Sequence, residues 1–258
     1  MARVVLIGRG IAHSASPAMQ AAAFAAMALD HTYELADVSG PRMPATVRVL
    51  RSRAFLGANV TVPYKRDVIR HLNGLDEVAS RAGAVNTITK AGGRLLGWNT
   101  DVPAISDAIL AVRPRPRRAV VLGTGGAAQA VALALNDVGT AETTLVSRSM
   151  WSDLASLLAG ADLLVNATPV GTTADQSPVP AALLHADLAV LDLVYRPSPT
   201  RLVREARASG SHACTGAGVL LGQGWRSLEA WLGRPIPETV KGAMAGALRA
   251  ELGAGTDV

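Results

Sequence analysis

Short runs of apolar and β-branched residues alternate along this chain with longer, alanine-rich helical stretches. Val4–Ile7 reads as a strand, Pro17–Leu29 as a helix, Tyr33–Val38 as a strand and Arg42–Ser52 as a helix. Ala58–Val62 is a further strand, followed by helices near Arg66–Leu72 and over Asp76–Arg81. Val85–Thr89 and Leu95–Thr100 flank Lys90-Ala91-Gly92-Gly93, a hairpin signal. The second half repeats the rhythm more regularly. Ala119–Leu122, Thr143–Ser147, Leu163–Asn166 and Ala189–Leu193 are strands, and Ala127–Val138, Ser152–Leu158 and Pro199–Ala208 are helices. Val102–Val112 is a helical bridge, and the tail is helical again over Val219–Trp231 and Glu238–Leu252. Strand and helix in alternation predict an α/β fold with a parallel, doubly wound sheet in the second half. No internal repeat or low-complexity segment is present.

Composition narrows the class. With 258 residues, 49% of them hydrophobic, the chain has ample material for a core, and disorder is excluded. Aromatic residues are only 3%, so Ala, Val and Leu must pack that core. Cys214 is the only cysteine, which rules out an intramolecular disulfide and fits a reducing cytoplasm. The N-terminal run Val4–Gly8 is too short for a signal peptide, and no apolar run approaches the roughly 20 residues of a membrane span. A soluble, cytoplasmic protein is expected. The net charge of +5 raises the question of nucleic acid. The densest basic run, Arg113-Pro114-Arg115-Pro116-Arg117-Arg118, carries no interleaved aromatic and leads straight into a strand. It reads as a solvated linker rather than a nucleic-acid surface. A positive balance also suits small anionic ligands.

Positive charge is spent almost wholly on arginine: there are 22 Arg and 3 Lys. One of the rare lysines, Lys65, ends the run Gly57-Ala58-Asn59-Val60-Thr61-Val62-Pro63-Tyr64-Lys65. Arginine does not release its proton in proteins, whereas lysine can. Composition alone leaves a solvated lysine at a strand end as the plainer reading.

Three other stretches carry chemistry. Gly123-Thr124-Gly125-Gly126-Ala127-Ala128 follows a strand and opens an alanine-rich helix. Glycines there allow backbone amides to approach a pyrophosphate, and the helix N-terminus adds free N–H groups and partial positive charge. The next strand ends in Ser147-Arg148-Ser149 rather than in an acid, which suits a ribose 2′-phosphate and favours NADP over NAD. Near the N-terminus, His13-Ser14-Ala15-Ser16-Pro17 has the composition of a helix start, with Ser16 as N-cap and Pro17 in the first turn. An anion could lie there, although an ordinary cap explains the residues as well. The five histidines show no metal-ligand spacing, so no metal is expected. Phe24 and Met27 read as core.

These motifs together resemble one family. The blocks HSASP (His13–Pro17), GANVTVPYK (Gly57–Lys65), AGAVNT (Ala82–Thr87), GWNTD (Gly97–Asp101), GTGGAA (Gly123–Ala128) and GVLLGQ (Gly218–Gln223) stand in the order found in shikimate dehydrogenases. VNATPVG (Val165–Gly171) and DLVYRPSPT (Asp192–Thr200) are weaker echoes. The resemblance spans the chain. It implies an α/β protein of two domains. Residues 1–102 with 219–258 would form a substrate domain completed by C-terminal helices, and 103–218 a Rossmann-like parallel-sheet domain for NADP.

The resemblance also implies roles. Lys65 and Asp101 would be the catalytic pair. Ser14 and Ser16 would bind a substrate carboxylate, with Asn59, Thr61, Asn86, Tyr195 and Gln223 on the rest of the substrate. Gly123, Gly125, Gly126, Ala127, Ser147, Arg148, Ser149, Thr168 and Gly216 would meet the cofactor. The implied reaction is NADPH-dependent reduction of 3-dehydroshikimate to shikimate, with Lys65 as proton donor, in a monomer or homodimer. Departures from the family pattern fall mostly near the cofactor: Val102-Pro103 after Asp101, Ser147-Arg148-Ser149, Pro169 after Thr168, and Val219-Leu220. Two alternatives accompany this reading. One is an NAD-dependent dehydrogenase of quinate or an amino analogue. The other is a non-catalytic relative that senses a metabolite or cofactor, against which the intact Lys65 and Asp101 argue.

Overall fold

The computed structural model describes residues 1–253 and 255–258. The chain folds as two compact units. The first comprises Met1–Asp101 with Gln223–Glu251, and the second Val102–Gly222 with Leu252–Val258.

The first unit is built on strands β1 (Ala2–Gly8), β2 (His31–Asp37), β3 (Phe55–Val60), β4 (Gly74–Leu75), β5 (Thr87–Ala91) and β6 (Arg94–Trp98). They form one sheet in the order β2-β1-β3-β5-β6-β4. β1 pairs parallel with β2 and β3, β5 runs antiparallel to β3 and β6, and β4 is parallel to β6. Helices α1 (Ser16–Ala26), α2 (Met43–Val49) and α3 (Glu77–Ala82) lie between the strands in sequence. Residues 4–7 of β1 are an unbroken apolar run, as a strand segment covered on both faces must be. Val4 and Ile7 are fully buried. Ile7, Met43, Val47, Leu50, Ala58 and Ile88 share one core cluster. α3 starts at Asp76, whose carboxylate accepts from Ala79 N–H at 2.8 Å, and stops at Gly83 in the left-handed region.

The second unit holds α4 (Asp101–Val112, beginning on the last residue of the first unit), β7 (Arg118–Leu122), α5 (Gly126–Asp137), β8 (Glu142–Val146), α6 (Leu154–Ala159), β9 (Leu163–Asn166), β10 (Ala189–Asp192), α7 (Arg201–Ala208) and β11 (Ala213–Thr215). Its sheet is wholly parallel, ordered β11-β10-β9-β7-β8. The strand order reverses between β7 and β9, which opens a crevice at their carboxyl ends. The α/β class and the parallel sheet are as the sequence pattern predicts.

Two long helices complete the chain. α8 (Ala217–Leu232) enters the first unit from Gln223 onward, and α9 (Glu238–Leu252) follows. Trp231 of α8 lies directly on β3, donating from its indole N–H to Ile88 O at 3.1 Å. Only glycine allows this approach. A Cβ on Gly57 would stand 2.4 Å from Ile88 O and 2.5 Å from the indole ring. The close contact sets the depth at which α8 presents Gln223 and Ser227.

Some expectations change. The boundary expected from the sequence placed 219–258 in the first domain, whereas residues 219–222 and Leu252–Val258 lie with the second unit. There Arg207 pairs with Asp257 and Thr256 is buried. Arg66–Leu72 forms only a 3-10 turn over Asp67–His71. Ser16 is not the N-cap of α1. Ala15 holds that position without a side-chain bond, and Ser14 Oγ accepts from Ser16 N–H at 3.3 Å instead. The basic run is held by acids at the edge of the second sheet: Arg113 pairs with Asp162 and Arg118 with Glu142. Phe24 is buried against His31, while Met27 is only half-buried. No helix among the described residues is long and apolar enough to cross a membrane.

Candidate active site

Lys65 and Asp101, 36 residues apart, meet in the first unit. Lys65 Nζ donates to Asp101 Oδ2 at 2.8 Å. Each reaches this point from a fixed backbone. β3 delivers the chain to a turn closed by Tyr64 N–H to Thr61 O at 2.9 Å. Tyr64 is buried and donates its hydroxyl to Val38 O at 2.7 Å, so its neighbour Lys65 is pinned at the base of its side chain. Lys65 O also accepts from Val85 N–H at 2.7 Å, which ties it to the segment carrying Asn86. Asp101 opens α4, where a carboxylate meets the positive end of the helix dipole.

Asn86 organises the pair. Its Nδ2 donates to Asp101 Oδ1 at 2.9 Å and to Thr100 Oγ1 at 2.8 Å, while its Oδ1 accepts from Thr100 N–H at 2.8 Å. The carboxylate is thus held from both oxygens, one by an amide and one by an ammonium. The Lys65 side chain remains 32% exposed, so its free N–H bonds face accessible space.

The other residues predicted for the substrate divide into groups. Ser14 and Thr61 are half-buried, as is Gln223. The Gln223 carbonyl is fixed by Thr100 Oγ1 at 3.0 Å and Ser227 Oγ at 2.9 Å. The loop carrying Ser14 is anchored by Asp37, whose carboxylate accepts from Gly10 N–H at 3.1 Å. Asn59 departs from expectation. It is 5% exposed, its Nδ2 is spent on Asn86 O, Thr87 Oγ1 and Ser227 Oγ, and its Oδ1 accepts from Tyr33. It supports Asn86 from below. Tyr195 belongs to the second unit, half-buried, with burial pushing its phenol pKa up.

In the second unit the glycine turn stands at the strand-order reversal. Gly123 has φ +108°, and a Cβ there would crowd Ala167 O at 3.2 Å. Gly125 and Gly126 face open space, with no atom within 4 Å of a built Cβ. Gly125 caps α5 with no side-chain bond, so the first-turn N–H groups are available. This open, uncapped helix start fits a pyrophosphate. Ala127 is exposed in the same turn. Arg148 is exposed just past β8, beside a Ser147–Ser149 hydroxyl pair at 2.8 Å. Gly216 has a packing reason to be glycine. It is buried, and a Cβ there would stand 2.2 Å from Leu193 O, so its missing side chain serves packing.

Beneath these loops lies a polar cluster formed by the segments 165–171 and 192–200. Asp192 is fully buried at the end of β10. It accepts from Asn166 Nδ2 at 2.8 Å, Thr200 Oγ1 at 2.8 Å and Val194 N–H at 3.0 Å. Asn166 Oδ1 in turn receives the Thr168 hydroxyl at 2.7 Å and its N–H at 3.0 Å. Thr168 is therefore fixed beside Gly123. Burial raises the Asp192 pKa from 3.8 to about 6, against the lowering effect of its hydrogen bonds.

Known proteins are similar to this chain over most of its length. Residues 6–88 match the family model described as the shikimate dehydrogenase substrate binding domain. A shikimate dehydrogenase (NADP(+)) of Symbiobacterium thermophilum is 40% identical over 265 residues, covering 91% of this chain and 90% of that protein. One from Thermus thermophilus is 40% identical and covers 96% and 99%. A crystal structure of shikimate 5-dehydrogenase from another strain of Thermus thermophilus, in complex with NADP(H) and shikimate, superposes with a TM-score of 0.86 at 38% identity. It covers 98% of this chain and 100% of that one.

The Asp192 cluster predicts a pH dependence of unusual sign. The folded state keeps this proton up to about pH 6, while the unfolded chain releases it near 3.8. Stability contributed by Asp192 therefore falls as pH rises between those values and is constant above. Relative to Asp192→Asn, the parent protein is expected to lose roughly 2–3 kcal/mol of unfolding free energy between pH 4 and 6.5. Urea unfolding of both proteins across that range measures it. A gap that does not change with pH contradicts the assignment.

Proposed function

The chain belongs to the shikimate dehydrogenase family, and we propose that it carries out the family's reaction at the site built on Lys65 and Asp101. That reaction is the reversible, NADPH-dependent reduction of the ketone 3-dehydroshikimate to the alcohol shikimate. The observation that carries the assignment is the Lys65–Asp101–Asn86 arrangement, with one carboxylate held at 2.8 Å by an ammonium and at 2.9 Å by an amide.

Reduction of a ketone leaves negative charge on its oxygen. NADPH, when bound, supplies the hydride. Lys65 sets an ammonium beside the oxygen, offsets the charge as it develops and delivers the proton. In the oxidative direction Lys65 takes that proton back. Asp101 balances the lysine charge and fixes its direction, and Asn86 fixes Asp101. Arginine could offset the charge but could not hand over a proton, which gives one of only three lysines in the chain a chemical reason to stand there.

Ser14 and Ser16, at the start of α1, are the proposed contacts of the substrate carboxylate. Thr61, Asn86 and Gln223 are the proposed contacts of the ring hydroxyls. Gly123, Gly125, Gly126 and Ala127 hold the pyrophosphate on α5, and Thr168 borders the same turn. Arg148, with Ser147 and Ser149, reads the 2′-phosphate. No carboxylate among the described residues forms an ion pair with Arg148, which supports that reading. The lone thiol of Cys214, with its pKa raised by burial, suits a reducing cytoplasm.

Two substitutions test these roles. Lys65→Ala is expected to lower kcat at least about 100-fold, while KM for shikimate changes less than about threefold. Turnover near the parent rate would remove Lys65 from the mechanism. Arg148→Ala is expected to weaken NADP about 10- to 100-fold, as for a lost charge-assisted hydrogen bond, and NAD far less. Equal losses for the two cofactors reject the 2′-phosphate role.

A further inference from the structure

The hydrogen bonds that fix the acid–base pair do not end at Asn86. Its main-chain carbonyl accepts from Asn59 Nδ2 at 3.0 Å. The same nitrogen reaches Thr87 Oγ1 at 3.1 Å and Ser227 Oγ at 3.0 Å. Asn59 Oδ1 accepts from the Tyr33 hydroxyl at 2.8 Å. Ser16, at the anion end of the site, lies near the Tyr33 hydroxyl. A hydrogen-bonded chain thus runs from Tyr33 through Asn59 and Asn86 to Asp101 and Lys65. Its interior is withdrawn from water: Tyr33 is 9% exposed, Asn59 5%, Asn86 2% and Ser227 0%.

Tyr33 closes the far end of this chain. The two ends of an asparagine amide are nearly equal in shape, so its partners determine which end carries the protons. Burial holds the Tyr33 phenol above its ordinary ionisation range, so it remains a donor. The Asn86 carbonyl, which can only accept, takes Nδ2, and the Tyr33 hydroxyl supplies the matching donor to Oδ1. Without that proton Asn59 Oδ1 is a buried acceptor with no donor, and the amide is held from one end only.

We propose that Tyr33 is a positioning residue for the acid–base pair. Its hydroxyl fixes the Asn59 amide and, through Asn86, the carboxylate that orients Lys65. The proposal deepens the shikimate dehydrogenase reading, and its kinetic test rests on that reading.

Tyr33→Phe deletes the hydroxyl and keeps the ring that tilts against Trp231 at 6.3 Å. Four proteins are compared: the parent, Tyr33→Phe, Asn86→Ala and the double variant. Tyr33→Phe is expected to lower kcat about three- to tenfold and to leave KM for NADP within about twofold. In the Asn86→Ala background the path is already cut, so the same change should lower kcat by less than about twofold. Losses that multiply, or an unchanged kcat in the single variant, overturn the proposal.

A second readout needs no turnover. Reductive methylation with ¹³C labels the three lysines and the N-terminus, and Tyr33→Phe should shift the Lys65 resonance while Lys90 and Lys241 stay in place. A Lys65 signal that does not move overturns the proposal. Absence of shikimate oxidation by the parent, alongside a shifted Lys65 signal, counts against the activity and supports the positioning. Should Tyr33→Phe fail to fold, Ser227→Ala, on the opposite side of Asn59, enters the same cycle with the same decisive outcomes.

Discussion

An ammonium and a carboxylate, both partly withdrawn from water, stand 2.8 Å apart at the end of β3 and the start of α4. Much of the first unit is arranged so that they can. Removing charge from water is costly unless each ion finds a partner and its remaining bonds are satisfied. Asp101 meets this demand with Lys65 on one oxygen and Asn86 on the other. Lys65 does so with Asp101 and with solvent, which leaves N–H bonds for a substrate oxygen. The pair is a device for charge and proton transfer, and its value as a stabilising salt bridge is secondary.

The second unit repeats part of this design with a different outcome. Asn166 supports Asp192 at the carboxyl ends of β9 and β10, as Asn86 supports Asp101. No ammonium or guanidinium among the described residues forms an ion pair with Asp192, and burial carries its pKa up to about 6. The first asparagine–carboxylate pair is built around a cation and faces accessible space. The second is closed and fixes the loops bearing Thr168 and Val194. The same residue types serve chemistry in one unit and backbone order in the other, and the presence of a lysine is what separates them.

Much of this was legible in the sequence where the signal is local. The parallel sheet of the second unit follows from alternating apolar and alanine-rich runs, and the glycine turn announces an anion site because strand, turn and helix are contiguous. The Lys65–Asp101 pair was legible only through resemblance, since nothing in spacing says that residues 36 apart will touch. The frame behind them was not legible at all. Asn59 reaches Ser227 across 168 residues, and Tyr33 reaches Asn59 across 26. In sequence, Tyr33 is one residue of a predicted strand and Ser227 one hydroxyl in a helix. Ser16 shows the converse error. Its neighbours compose a helix cap, but Ala15 takes the N-cap position without a side-chain bond, and Ser14 accepts from Ser16 N–H.

The central claim is that the ammonium held by Asp101 is the proton donor to the reacting oxygen. A crystal structure of this protein with NADP⁺ and shikimate tests it most directly. The account predicts Lys65 Nζ within hydrogen-bonding distance of the hydroxyl on the carbon that faces the nicotinamide, with Asp101 still bound to Asn86. A structure in which that hydroxyl is held by other groups, and Lys65 points into solvent, would contradict it.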